Sequence, residues 1–283
     1  MMPARKVDLS ENIKVVTKND FIQGRGMDNA SIKAVKLMYI AIAQCKVNDQ
    51  EFYEYSMTIP EFALAMGIAP THVYQEAEAI TDELMKAFIR FGEENSRNFR
   101  KRHVFARCDY DDQHGLTFRI DKEMTDLLLG ITSDFSQPLL NEFLKMKSVY
   151  SIKVWHLLQR EMKSQKYAFA IEGREPEFYI TLEELRRVTG TENKLKKLSQ
   201  FKERVLEIAV RDIEECAGVR ITYRDHKSGR TVVGFYFKQV PIMTILEDKA
   251  KEIDEKLQEY RNSEEIQGQM TFMEYLNLQT GKE

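Results

Sequence analysis

The chain has 283 residues, of which 43% are apolar, 31% charged and 10% aromatic, enough apolar material for two domains of ordinary size. No run approaches the ~18 consecutive apolar residues of a membrane span, and residues 1–12 lack the apolar core of a secretory signal, so a cytoplasmic chain without membrane contact is expected. Cys45, Cys108 and Cys216 are odd in number and far apart, with no C-x-x-C pair, which argues for reduced thiols and against a disulfide frame or zinc site.

The net charge of −3 hides an asymmetry. Residues 244–283 hold 10 acidic and 5 basic side chains, a net of −5, which leaves +2 for residues 1–243. A pI near 6.1 therefore does not exclude a nucleic-acid ligand, because affinity follows where cations cluster.

After a flexible N-terminus (1–12), Ile32, Val35, Met38, Ile42 and Cys45 recur at helical spacing, with Ser31 close to the start of that helix. Tyr55 to Ile59 reads as a strand. Thr58 then caps a short helix with Pro60 in its first turn, apolar positions Phe62 and Met66, and a stop at Gly67. Pro70 and Thr71 open a longer helix whose apolar positions are Val73, Ala77, Ile80, Leu84 and Phe88. His103–Tyr110 and Gly115–Ile120 follow as two strands around a polar turn. The pattern breaks between Ile131 and Leu139, at Ser133, Ser136 and Pro138.

The series then repeats. A helix from about Tyr150 to Lys163 precedes the strand Phe178–Ile180. Thr181, with Glu184 three residues on, forms a capping-box pattern for a short helix ending at Gly190. A long helix carries Leu195, Leu198, Phe201, Val205, Ile208 and Ile213, and a hairpin turns around Lys227-Ser228-Gly229. Three segments match in order: Ser31–Met38 with Ser151–Leu158, Thr58–Gly67 with Thr181–Gly190, and the turn 111–115 with 225–229, at offsets of 120, 123 and 114 residues. Helix, strand, short helix, long helix and hairpin make a winged helix, so the expected fold is α+β: two tandem winged helices, 13–135 and 136–243, with an acidic helical tail at 244–283. In the tail, Ile245 to Tyr260 suggest a helix, and Met270, Phe272, Met273, Tyr275 and Leu276 form an apolar patch suited either to a partner or to docking on its own domain.

A winged helix reads duplex DNA with the N-terminal end of its long helix. In the second unit Lys194, Lys197, Gln200, Lys202 and Arg204 occupy that stretch, and Lys227 and Arg230 flank the wing turn. Residues 181–230 hold 12 basic and 9 acidic side chains. A charged helix face alone usually means solvation; its coincidence with a basic wing on one motif points to DNA, with cations on phosphates and Gln200 on a base edge. In the first unit Thr71 and Gln75 stand at the reading end, and Arg100, Lys101 and Arg102 make the wing region cationic. That unit is expected to hold the DNA backbone, to dimerise, or both. Lys14, Lys18 and Arg25 are further candidates for phosphate contact.

No catalytic, metal or cofactor constellation is present in the sequence. His72, His103, His114, His156 and His226 form no His-x-His pair, and Gly281-Lys282 is not part of a phosphate-binding loop.

These residues resemble the winged-helix plasmid replication initiators that bind repeated origin sequences, the iterons, in theta-type replication. The resemblance runs from Ile13 to Val240. It is carried by Val15–Phe21, by Lys147–Lys153 before an aromatic and basic helix, by Phe201-Lys202-Glu203-Arg204-Val205-Leu206, and by Gly234–Lys238. Thr191-Glu192-Asn193 departs from it, lacking the aromatic frequent before this helix. The resemblance implies iteron binding as a monomer, melting of adjacent DNA, recruitment of host replication proteins (a helicase or an initiator), and repression of its own gene as a dimer joined through the first winged helix. Lys202 and Arg204 fall on the family motif. The alternative is a dimeric transcription regulator with the same two domains and no replication role.

Overall fold

A computed structural model describes residues 4–27, 30–46, 48–92, 97–172, 177–243, 251 and 255. The tail helix and apolar patch expected after residue 243 lie outside this set, apart from Lys251 and Glu255.

The N-terminal segment supplies three two-residue strands, β1 (Arg5–Lys6), β2 (Thr17–Lys18) and β3 (Arg25–Gly26), with the helix α1 (Asn19–Gln23) between the last two. α2 (Ile32–Ala43) starts where the sequence places it, because Ser31 Oγ accepts the Ala34 N–H at 3.2 Å. It is buried from Leu37 to Ala43 and forms the spine of the first unit. β4 (Tyr55–Met57) turns into α3 (Ile59–Met66) through a reciprocal cap. Glu61 N–H donates to Thr58 Oγ1 at 3.4 Å and Thr58 N–H donates to Glu61 Oε2 at 2.8 Å, which satisfies two N–H groups the helix itself cannot. Gly67 closes α3 at φ 64°, a conformation that costs a side-chain-bearing residue more than glycine.

α4 (Val73–Lys86) follows a single 3-10 turn and buries Val73, Ala77, Ile80 and Leu84. Helical spacing predicts a helix on to Phe88, but the chain leaves it at Ala87. Phe88 instead opens β5 (Phe88–Phe91), which pairs antiparallel with both β3 and β6 (Arg100–His103). The strand expected at His103–Tyr110 is likewise two elements: β6, and β7 (Phe105–Asp111) beyond the buried Val104. Arg100, Lys101 and Arg102 thus belong to a separate hairpin rather than to the wing. The wing is β7 with β8 (Gly115–Ile120), in a sheet ordered β1-β4-β8-β7.

α5 (Thr125–Leu128) leads to β9 (Phe135–Ser136), which returns to pair with β2, a strap across the expected break between units. α6 (Leu140–Lys145), α7 (Val149–Glu172), β10 (Glu177–Thr181) and α8 (Leu182–Thr189) follow. The long helix comes in two pieces, α9 (Leu198–Phe201) and α10 (Glu207–Ala217), joined by a π-turn (Lys202–Leu206). β11 (Val219–Ser228) and β12 (Thr231–Pro241) form the second wing, in a sheet ordered β10-β12-β11. The fold is α+β with two winged helices, as the repeat implies. Ser151, matched to the capping Ser31, lies inside α7 and donates to Asp212 Oδ2 at 2.7 Å, tying α7 to α10.

One continuous apolar cluster runs through both units. Its largest buried side chain is Trp155, whose indole N–H donates to Glu142 Oε2 at 2.7 Å. Beside it His156 is fully enclosed: Nδ1 pairs with the Tyr39 hydroxyl at 2.9 Å, and Nε2 with Ser136 Oγ at 2.9 Å and Thr17 Oγ1 at 3.0 Å. Burial, reinforced by the Arg160 charge, pushes its pKa down to about 3, so the ring is neutral and pins α2, α7 and both strands of the strap together.

Candidate DNA interface

In the second unit Thr181 caps α8 by accepting the Glu184 N–H at 3.0 Å. The expected reciprocal bond is replaced, because Glu184 Oε1 accepts from Arg160 at 2.6 Å and from Arg187 at 3.1 Å. Gly190 ends α8 at φ 66°, and Thr191, fully buried, returns its N–H to Arg186 O at 2.8 Å.

Arg186 then organises the turn between α8 and α9. Its guanidinium donates to the carbonyls of Thr191, Lys194, Leu195 and Lys196 at 3.1–3.3 Å and lies 4.7 Å from the centroid of the Phe201 ring. Four carbonyls of one turn converge on a planar donor fork, a task a lysine ammonium cannot copy. Leu195 sits at φ 49° within this turn, and the helix begins only after Lys197 as N-cap. Lys194 is therefore in the turn, three residues before the N-cap, and not on the helical face that its spacing predicts. Nothing in the sequence pattern singled out Arg186; the available signal was a cation in the last turn of a short helix just before an irregular stretch.

Phe201, Val205, Leu206, Ala209 and Ile213 are buried. The π-helical stretch Lys202–Leu206 turns Val205 and Leu206 inward beside Phe201. On the solvent side stand Lys194, Lys197, Gln200 and Arg204, all exposed. Lys202 differs. Its ammonium lies 2.7 and 2.8 Å from the two Asp225 oxygens, bracing the helix against β11, so it reaches a phosphate only by giving up Asp225. Lys227 and Arg230 are exposed at the wing tip, where Gly229 turns the chain at φ 62°.

In the first unit Thr71 and Gln75 are exposed at the start of α4, next to Tyr74, which packs edge-on against Tyr110 of the wing at 5.9 Å. Arg100 and Lys101 are exposed on β6. Arg102, on the same face of the strand as Arg100 and opposite Lys101, is held in an ion pair with Asp126 and a 2.7 Å bond to the Glu123 carbonyl. Arg25 is bonded to Glu192 at 2.7 Å, Arg187 donates to Gln23 O at 3.3 Å, and Lys153 donates to Gly26 O at 3.2 Å. Residues 23–26 of the first unit are thereby tied to α7, to α8 and, through Glu192, to the reading turn of the second. A cleft of about 630 Å³ lies at this junction, with Asn193 and Lys194 on one wall and Lys86, Phe88 and Arg90 on the other. Among the described residues no three His, Cys, Asp or Glu side chains converge as a metal site, and no helix is long and apolar enough to cross a membrane.

Residues 14–159 match the family described as "Initiator Replication protein, WH1", and residues 181–238 match "Initiator Rep protein, WH2". No curated protein matches the chain. Among solved structures, the Pi initiator protein in complex with iteron DNA superposes with a TM-score of 0.66 at 16% identity, over 82% of this chain and 99% of that one. At that identity the likeness speaks for the fold alone. Domains 2 and 3 of RctB give a TM-score of 0.39 at 10% identity, over 73% of this chain and 82% of the other, too loose a match to carry weight.

Proposed function

The chain belongs to the initiator replication protein family, and from that premise we propose that it starts plasmid replication in the cytoplasm by binding repeated double-stranded origin sequences, opening the adjacent DNA and recruiting host replication proteins. One observation carries the reading. The Arg186-pinned turn, α9 and the π-helical stretch after it expose Lys194, Lys197, Gln200 and Arg204 to solvent, and the wing is tipped by Lys227 and Arg230. Lys197 and Arg204 are spaced to neutralise phosphates while Gln200 meets a base edge. Thr71, Gln75, Arg100 and Lys101 of the first unit add backbone contacts. Lys202 and Arg102, each paired with a carboxylate, hold the elements that present the others. The repeated-site part of this reading is carried over from the Pi initiator, which shares the fold and was solved on iteron DNA. The same chain, as a homodimer through the unit at 13–135, represses its own gene.

Footprinting on DNA flanking the gene tests this. A ladder of protected direct repeats that fades with salt is the expected result. Protection of one inverted repeat alone indicates a dimeric regulator, and no protection removes both DNA readings.

A further inference from the structure

We propose that the outer face of the β5–β6 hairpin binds an unpaired DNA strand. The hairpin has no counterpart in the second unit, where α10 passes through Gly218 directly into β11, so the winged helix itself does not require it. Phe88 pairs with His103 and Arg90 with Lys101 across the hairpin, and strand alternation puts all four on one face. Ile89, on the opposite face, is buried.

The outer face interleaves rings and cations. Phe88 and Phe99 are 36% and 53% exposed. The Lys101 ammonium lies 4.4 Å from the centroid of the Phe88 ring and 5.7 Å from that of Phe99, and the Arg90 guanidinium lies 4.9 Å from that of Phe99. Residues 88–103 carry five basic and two acidic side chains. Duplex phosphates would use the cations and gain nothing from two exposed phenylalanines. An apolar protein partner would use the rings but would have to strip water from Arg90 and Lys101. An unpaired strand uses both, its bases stacking on rings while its phosphates meet cations. Phe88 and Arg90 also line the cleft that Asn193 and Lys194 border from the second unit, so this face adjoins the reading turn.

The test titrates the full chain against a labelled oligothymidylate and, separately, against a mixed-sequence duplex at low salt. Wild type binds both. Phe88→Ala/Phe99→Ala weakens oligothymidylate binding about 30-fold, as expected for the loss of two stacking rings, and leaves duplex binding within about twofold. Phe88→Leu/Phe99→Leu, which keeps the apolar volume, melts like wild type and loses most of the same affinity. Unchanged oligothymidylate binding in the variants overturns the proposal, as does its absence in wild type. Equal loss of both ligands assigns the face to duplex backbone, and a dimer that dissociates in the variants with oligothymidylate binding intact assigns it to a second copy. Because the duplex titration is read independently, failure here leaves the duplex-binding reading standing, and failure of duplex binding alone leaves this one.

Discussion

Replacing Arg186 by alanine removes the donor fork that gathers the carbonyls of Thr191, Lys194, Leu195 and Lys196. A hydrogen bond from a charged donor contributes about 1.5–3 kcal/mol when both partners are sheltered. Two of these four are to exposed residues, and all are near the long end of the accepted distance,. The sum is therefore far below four full bonds, and about 2 kcal/mol is a fair figure for the order lost in the turn. Leu195 at φ 49° is a strained conformation for leucine, so without the fork the turn relaxes into other arrangements. If the displayed arrangement is the one that binds DNA, about 2 kcal/mol of disorder reduces affinity about 30-fold. Fluorescence anisotropy on a protected duplex measures this, and hydrogen exchange at the amides of 194–198 measures the loosening directly. Arg186→Lys, with a point charge in place of a planar fork, is expected to recover only part of either. Full affinity in Arg186→Ala with its turn amides still protected would refute the reasoning.

Lys197→Ala/Arg204→Ala should lower the slope of log affinity against log salt by about 2, one for each phosphate left without its cation, with a thermal melt like wild type; an unchanged slope would place both side chains away from DNA. Gly115→Ala forces a Cβ to within 2.2 Å of the Met57 carbonyl oxygen at φ 88°, whereas Gly67→Ala, at φ 64°, meets nothing within 4 Å. Denaturant titration should show about 3 kcal/mol or more lost for the first against about 1 kcal/mol for the second, and equal losses would contradict the packing described. The His156 pKa is held down to about 3 by burial, below its unfolded value near 6.5, so the unfolded chain takes up this proton first. Its stabilising effect is present above pH 6.5 and is lost as pH falls toward 3, by up to about 1.4 kcal/mol per pH unit. His156→Gln should flatten that part of the stability–pH curve, and an identical slope in the variant would show that the ring titrates freely.

Much of the fold is written in local chemistry. Ser31, Thr58 and Thr181 each accept the helix N–H their positions call for, and Gly67 and Gly190 close matched helices at φ 64° and 66°. Such signals act within a few residues and survive folding unchanged. The β5–β6 hairpin escapes pattern reading because Phe88 falls on the helical stripe set by Ile80 and Leu84, and nothing local marks the stop at Ala87. The drop in repeat offset from 123 to 114 is the visible trace of extra chain in the first unit. The β2–β9 strap joins Thr17 to Ser136, a pairing of two-residue strands too short to show alternation. At the interface, exposure of Lys197, Gln200 and Arg204 follows from periodicity, since Phe201 and Val205 face the core. The placement of Lys194 does not, because the turn is shaped by Arg186 through contacts across five to ten residues with no periodic signature.

Initiation itself is most directly tested by asking whether this gene and its flanking DNA sustain a replicon that has no other means of replication. Stable maintenance is predicted with the wild-type chain and none with Lys197→Ala/Arg204→Ala, the variant protein being folded and present at equal abundance. Maintenance at the same copy number with that variant would contradict an initiator that acts through this face.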